Sequence, residues 1–205
     1  MTTATEPRLA PVDVETAREP LATIFASVRA HYGAPPSLGH RLIANHPALY
    51  RRWLGLGSEL LTAGVLPADV RELVIMRVAL NTRCDYEWRS HWAAAVASGL
   101  APAFREGWRA APAIREPIEP RLAAAAALAD SLHGSSDVDD ELWSQLGDLF
   151  SAEEILELLL LVGHYTTTAY VLNALRAGNH SGRRSGADPR SRRRHLRRDR
   201  GHGRQ

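Results

Sequence analysis

Cys84, Glu87 and His91 stand at i, i+3 and i+7, the spacing that lines side chains along one stripe of a helix. A thiol in the first turn of such a helix meets unpaired N–H groups and a dipole that favour its thiolate. Glu87 and His91, four apart, place a carboxylate where it can touch an imidazole and keep it basic. A second carboxylate, Glu72, lies twelve residues before the cysteine and can face the same stripe if the two helices pack as an antiparallel pair. Together these supply a nucleophile or weak acid, two carboxylates and a proton carrier. The same residues also fit plain structural roles. A lone cysteine serves as a small buried hydrophobe, a Glu–His pair decorates a solvent-facing helix, and Glu72 beside Arg71 suits an exposed face. Tyr86, Trp88 and Trp92 read as core or subunit-contact aromatics rather than a cofactor box. Spacing alone leaves both readings open.

The elements around this stretch are helical throughout. Apolar residues recur at helix spacing from Val14, through Leu21, Ile24, Phe25 and Val28, until Ala34-Pro35-Pro36 breaks the pattern. A short helix is expected over Leu38–Ala44. Asn45 or His46 ahead of Pro47 opens the next, with Leu49, Trp53, Leu56, Leu60 and Leu61 on its apolar face and Gly64 at its end. Leu66-Pro67-Ala68-Asp69 begins a helix that breaks at Asn81-Thr82-Arg83, and the site helix runs from Cys84 or Asp85 to a Gly99 cap. A short piece to Trp108 and an extended stretch through Pro112 and Pro117 precede an alanine-rich helix from about Arg121 to His133, followed by a Gly134-Ser135-Ser136 loop. Another helix covers Leu142–Phe150. Ser151-Ala152-Glu153-Glu154 has the form of a capping box for a last long helix to about Arg176. No run alternates at period two, so the fold class is all-α.

Composition bounds the partners. The chain has 205 residues, room for one domain with a substantial core. Its basic residues are all arginine. From Gly178 onward there are ten Arg against two Asp, a formal +8, so the remaining 177 residues carry −6. The body offers no electrostatic reason to bind nucleic acid, and only the Arg-rich tail could. We read residues 1–12 as a flexible arm, 13–177 as the helical domain and 178–205 as a disordered tail, too poor in apolar residues to order itself. One cysteine excludes an intrachain disulfide and a CxxC redox pair. The N-terminus lacks a signal-peptide core, and the most apolar run, Ile155–Val162, is too short to span a bilayer, so a cytoplasmic location is the expectation. No HxxxH or HExxH spacing or carboxylate cluster occurs, and no metal is expected.

The stretch RELVIMRVALNTRCDYEWRSHWAAAVASGL resembles the signature of the carboxymuconolactone decarboxylase and alkylhydroperoxidase D superfamily. The peroxidase branch carries a Glu, eleven intervening residues, Cys-x-x-Cys, three more residues and His. On this chain those positions are Glu72, Cys84, Glu87 and His91, so three of four match and Glu87 stands where the second cysteine would. HPALYRRWLGLGSELLTAGVLPADVRE resembles the family's lead-in helices and LLLLVGHYTTTAYVLNAL its closing helix. The resemblance spans roughly residues 35–176. It implies a helical bundle with a central antiparallel helix pair, a homo-oligomer (trimer or hexamer), and no metal or organic cofactor.

The departure at Glu87 shapes the functional expectation. Without a second thiol, the dithiol–disulfide cycle of the peroxidase branch cannot run within one subunit. The Cys-Asp-Tyr-Glu-Trp variant instead resembles the large group of the decarboxylase-named family without the dithiol, and that resemblance implies a decarboxylase-like enzyme using acid–base chemistry on a carboxylated or lactone-type substrate, with Glu72, Cys84, Glu87 and His91 as catalytic candidates. Such a reaction needs an acid to protonate a developing enolate. His91 could be that acid, oriented by Glu87. Arg77 or Arg83 would have to offset the acidic pair beside a substrate carboxylate. Tyr86 and His164 are the candidates for binding substrate, with His40 and His46 behind them. The alternatives are a single-cysteine peroxidase that relies on an external thiol to reduce the Cys84 sulfenic acid, and a non-catalytic oligomeric binding protein of the same fold.

Overall fold

The computed structural model describes residues 6–100 and 119–177. The expected short piece to Trp108, the Pro112–Pro117 stretch and the Arg-rich tail lie outside the described residues. Among the described residues the elements are α1 (Leu21–Tyr32), α2 (Leu38–Ile43), α3 (Pro47–Ser58) with a π-helical extension (Glu59–Ala63), α4 (Ala68–Asn81), α5 (Asp85–Ala97), α6 (Pro120–Ser135), α7 (Asp140–Leu149) and α8 (Ala152–Ala174), with no strand. The fold is all-α.

α4 is the centre of the bundle and packs against α5, α6 and α8. Its sequence explains this: Val70, Leu73, Val74, Ile75, Met76, Val78 and Ala79 are all buried, so the helix is apolar nearly all round. Its sides feed two cores. Val74, Ile75 and Val78 join Leu128, Leu158 and Leu161. Leu73 and Met76 join Trp88 and Ala95 of α5. Each fully buried Leu, Ile or Met contributes about 1.5–3 kcal/mol relative to exposure.

Polar ties hold the helices in register. Asp130 of α6 accepts two hydrogen bonds from Arg77, each 2.5 Å, and a third from Asn81 at 2.8 Å. Glu157 of α8 accepts the N–H groups of Val65 and Leu66 in the turn just before α4, at 2.6 and 3.3 Å, tying that turn to α8. A Cβ at Gly64 would collide with that carboxylate. Asn173 near the end of α8 donates to Thr82 O at 2.9 Å, fixing the α4–α5 turn. Residues 6–12 run along the bundle, with Arg8 N–H donating to Leu175 O and Val12 N–H to Arg41 O, both at 3.0 Å.

Several element boundaries differ from expectation. α1 begins at Leu21 rather than Val14, because Asp13 Oδ1 captures the N–H groups of Glu15 and Thr16 and turns the chain there. On α3 the buried face is Tyr50, Trp53, Leu54 and Gly57. Leu49 and Leu56 are 58% and 42% exposed, because the stripe lies one residue along from the leucines and the helix widens into a π-turn. α6 runs to Ser135, past the expected end at about His133, and its C-cap Ser136 is in the left-handed region (φ 60°). The left-handed residue after α4 is Arg83 (φ 53°). The α8 capping box forms as expected, Ser151 and Glu154 each serving the other's N–H. That helix is 23 residues and apolar enough by composition to cross a bilayer, longer than the run Ile155–Val162 suggests, yet half of its most apolar window is buried inside the bundle.

Candidate active site

Glu72, Glu87 and His91 meet. Glu72 sits on α4 and the other two on α5, and the antiparallel packing of that pair puts His91 Nδ1 2.9 Å from Glu72 Oε2. Facing a carboxylate, Nδ1–H donates, which leaves Nε2 turned toward Glu87 Oε2, 3.6 Å away. Both carboxylates are buried, Glu72 at 3% and Glu87 at 6% exposure. Arg71 Nε lies 3.4 Å from Glu72 Oε1 and is the nearest cationic side chain. Burial raises the Glu87 pKa above the ordinary carboxylate value, and the neighbouring His91 only partly opposes this.

Glu87 and His91 line a cavity of about 300 Å³ formed by α1, the α1–α2 loop, α2, α3, α5 and α8. Tyr86 and His164, the residues expected to bind substrate, line it, and so does His40. Tyr86 is fixed by its hydroxyl, which accepts the Gly39 N–H at 2.8 Å. His40 Nδ1 lies 3.0 Å from the Tyr50 hydroxyl. Burial raises Tyr50 and lowers His40, so the phenol donates to a neutral imidazole. His164 is pulled down to about 4 by burial and is likewise neutral at physiological pH. Its ring stacks on Trp53, with centroids 5.4 Å apart and planes at 23°. His46 instead caps α3, its Nδ1 accepting the Leu49 N–H.

Cys84 is separated from this set. It is the N-cap of α5, fully buried, and packs with Leu42, Ala169, Leu172 and Ala177 rather than lining the cavity. The expectation of a thiolate fails on energetics. Burial pushes the thiol up to about 11, and the Glu87 and Asp85 charges add to that. The backbone N–H groups of Glu87 and Tyr86 pull the other way and do not compensate. The helix terminus is present as the spacing implied, but desolvation outweighs it. Arg77, held by Asp130, and Arg83 do not line the cavity either, so neither offsets the acidic pair.

The sequence reading missed Trp53 and Tyr165 as site residues. Trp53 was expected on an apolar face, but its indole N–H donates to Thr168 Oγ1 at 2.9 Å and its ring forms the cavity wall. Tyr165 meets His91 edge-on at 5.1 Å and His164 at 5.4 Å. Its place one residue after His164 on a helix carrying a polar break in an apolar run was the available signal. Among the described residues no cluster of His, Cys, Asp and Glu suits a metal ion.

Residues 47–131, which carry Glu72, Cys84, Glu87 and His91, match the carboxymuconolactone decarboxylase family model. Over that segment the chain is similar to this family. Solved structures share its fold. An uncharacterized peroxidase-related protein from Ralstonia eutropha JMP134, described as an alkylhydroperoxidase AhpD core, has 16% identity and a TM-score of 0.71, covering 84% of this chain and 91% of that one. A second peroxidase-related protein, from Silicibacter sp. TM1040, has 17% identity and a TM-score of 0.68, with 84% and 93% covered. The debrominase Bmp8, as a cysteine-to-alanine variant in complex with 2,3,4-tribromopyrrole, has 14% identity and a TM-score of 0.64, with 83% and 92% covered. At these identities the likeness is one of fold. No curated protein matches the sequence significantly.

Proposed function

We propose that the chain is a small-molecule enzyme of the carboxymuconolactone decarboxylase type, moving protons to and from a lactone-type or otherwise enolisable substrate. The observation that carries this is His91 lying between the Glu72 and Glu87 carboxylates, with His91 and Glu87 lining the cavity. Glu72 holds the Nδ1–H, so Nε2 can take a proton from Glu87 or return one to it. Glu87 favours its protonated form because it is buried, which suits an acid that donates to an enolate carbon. When ionised it is a stronger base than a solvated carboxylate and can remove a proton next to a carbonyl. In a decarboxylation the C–C electron pair released with CO2 would collect that same proton. Cys84 supplies packing and takes no part in the steps. The peroxidase reading finds no support in a buried thiol with a raised pKa.

The homo-oligomer and the cytoplasmic location belong to the same proposal. Exposed Leu49, Leu56, Leu156 and Leu160 are the apolar residues that subunit contacts would cover, and light scattering would read the mass.

The test is deuterium uptake from D2O into a β,γ-unsaturated γ-butenolide, followed by NMR. Wild type should accelerate uptake at the carbon next to the carbonyl, and Glu87→Gln and His91→Ala should abolish the acceleration. Full activity in both variants would remove the proposal, and no activity in wild type on any enolisable lactone would favour the non-catalytic reading.

A further inference from the structure

The His164 wall of the cavity has a chemistry of its own. His164 is 91% buried, being 9% exposed, and lines the cavity. Among the described residues its ring nitrogens have no hydrogen-bond partner; its ring contacts are the stack on Trp53 and the edge of Tyr165. Neither nitrogen is fully desolvated, so the ring can still meet a hydrogen-bonding group. The surroundings are built to keep the ring there. Gly57 makes room, since a Cβ at that position would lie 2.9 Å from His164 Nε2. Trp53 is locked by its bond to Thr168, whose own hydroxyl donates to His164 O at 2.8 Å.

Charge narrows the ligand. Among the described residues no arginine lines the cavity, Arg77 being engaged with Asp130 and Arg71 with Glu72. His40 and His164 are neutral, and Glu87 adds a carboxyl group to the lining. A bound carboxylate would lose its water without gaining a cation from these residues, and would share the cavity with the Glu87 carboxyl. An uncharged ring carries neither cost, and the aromatic lining that Trp53, Tyr165 and His164 give the cavity suits it.

We propose that the cavity takes an uncharged, planar ring compound bearing one hydrogen-bonding oxygen or nitrogen, its ring against the Trp53–Tyr165 wall and that atom on the His164 imidazole. This rests on the proposed function for the identity of the site and narrows it to uncharged lactone-type substrates, which excludes the decarboxylation, but it concerns binding rather than turnover. His164 thereby sets specificity for neutral over carboxylated substrates.

Calorimetric titration of the full chain with phenol, benzene, 2(5H)-furanone and benzoate tests it. Phenol and the furanone should bind, benzoate at least about tenfold more weakly, and the advantage of phenol over benzene should disappear in His164→Phe, which keeps a stacking ring. His164→Leu gives the same comparison if the phenylalanine variant misfolds. Benzoate binding as tightly as phenol, no binding of either neutral probe, or an unchanged phenol preference in the His164 variants would each overturn the proposal. Selective binding without deuterium uptake would sink the catalytic reading and leave this one standing. Uptake with benzoate bound as well as phenol would do the reverse.

Discussion

His91 Nδ1 lies 2.9 Å from Glu72 Oε2, across the packed pair α4 and α5, and this contact fixes which ring nitrogen faces the cavity. A histidine held by one carboxylate and turned toward a second has a defined tautomer and a defined direction for its proton. Removing the holder and removing the histidine should therefore differ in degree.

For proton transfer on the butenolide, His91→Ala and Glu87→Gln should each cost about 10²- to 10⁴-fold in rate, the usual worth of a positioned acid or base. Glu72→Gln should cost less, about 10- to 100-fold, because the amide still accepts one hydrogen bond but no longer stabilises a charged imidazole. Rates measured by NMR in D2O check the ranking. A Glu72→Gln loss equal to that of His91→Ala would mean Glu72 transfers protons itself.

Much of this was legible because it follows from periodicity. The 20-residue frame from Glu72 to His91 spans one turn between two helices, so helix spacing and antiparallel packing bring its ends together. The Ser151–Glu154 box marked the start of α8 for the same local reason. What spacing could not give was burial. The position of Cys84 at the head of α5 is visible in sequence, but its loss of water depends on Leu42 and Leu172, which lie 42 residues before and 88 after it. Likewise, Trp53 belongs to the site only because Thr168 receives its indole N–H. The exposed Leu49 and Leu56 misled the reading of α3, since an apolar residue on a surface looks the same in sequence as one in a core.

Cys84 should behave as a packing residue. With the thiol pushed up to about 11, its thiolate is scarce at pH 8, and alkylation by iodoacetamide in the folded protein should be slow and still rising with pH at 10. His91→Ala should leave that profile unchanged. Cys84→Ala should retain the proton-transfer rate and lose about 1 kcal/mol of stability through the small void it leaves. An inflection below pH 8.5 that moves upward when His91 is removed would restore the thiol to the mechanism.

Glu87 makes stability depend on pH in a calculable direction. Its pKa is higher folded than unfolded, so the stability it contributes is fully present below the unfolded value of about 4.5 and is lost as pH rises through the raised one. His91, which opposes the shift, and Tyr165, itself raised by burial and by the Glu87 and Glu72 charges, face the same space and do not reverse the sign. Glu87→Gln should therefore be more stable than wild type at pH 8 and lose that advantage near pH 4. Urea midpoints at the two pH values check it. A variant less stable at pH 8 than at pH 4, relative to wild type, would place an ionised Glu87 as a net stabilising partner of His91.

His164 works in the opposite sense. Its pKa falls from 6.5 to about 4 on folding, so the unfolded chain binds a proton more readily, and the stability linked to the neutral ring is present above 6.5 and lost as pH falls toward 4. Removing the titratable ring in His164→Phe should flatten this part of the acid limb, seen as a smaller drop in Tm between pH 6.5 and 4.5 than in wild type. Gly57→Ala approaches the same residue from the other side. The new methyl would sit 2.9 Å from Nε2, too close for the ring to stay in place, and overpacking of this kind costs about 1–3 kcal/mol. The paired substitution Gly57→Ala with His164→Ala should recover most of that loss, because the methyl then enters space the imidazole has left. An additive double variant would mean that Gly57 is needed for the helix backbone itself rather than for the room it gives His164.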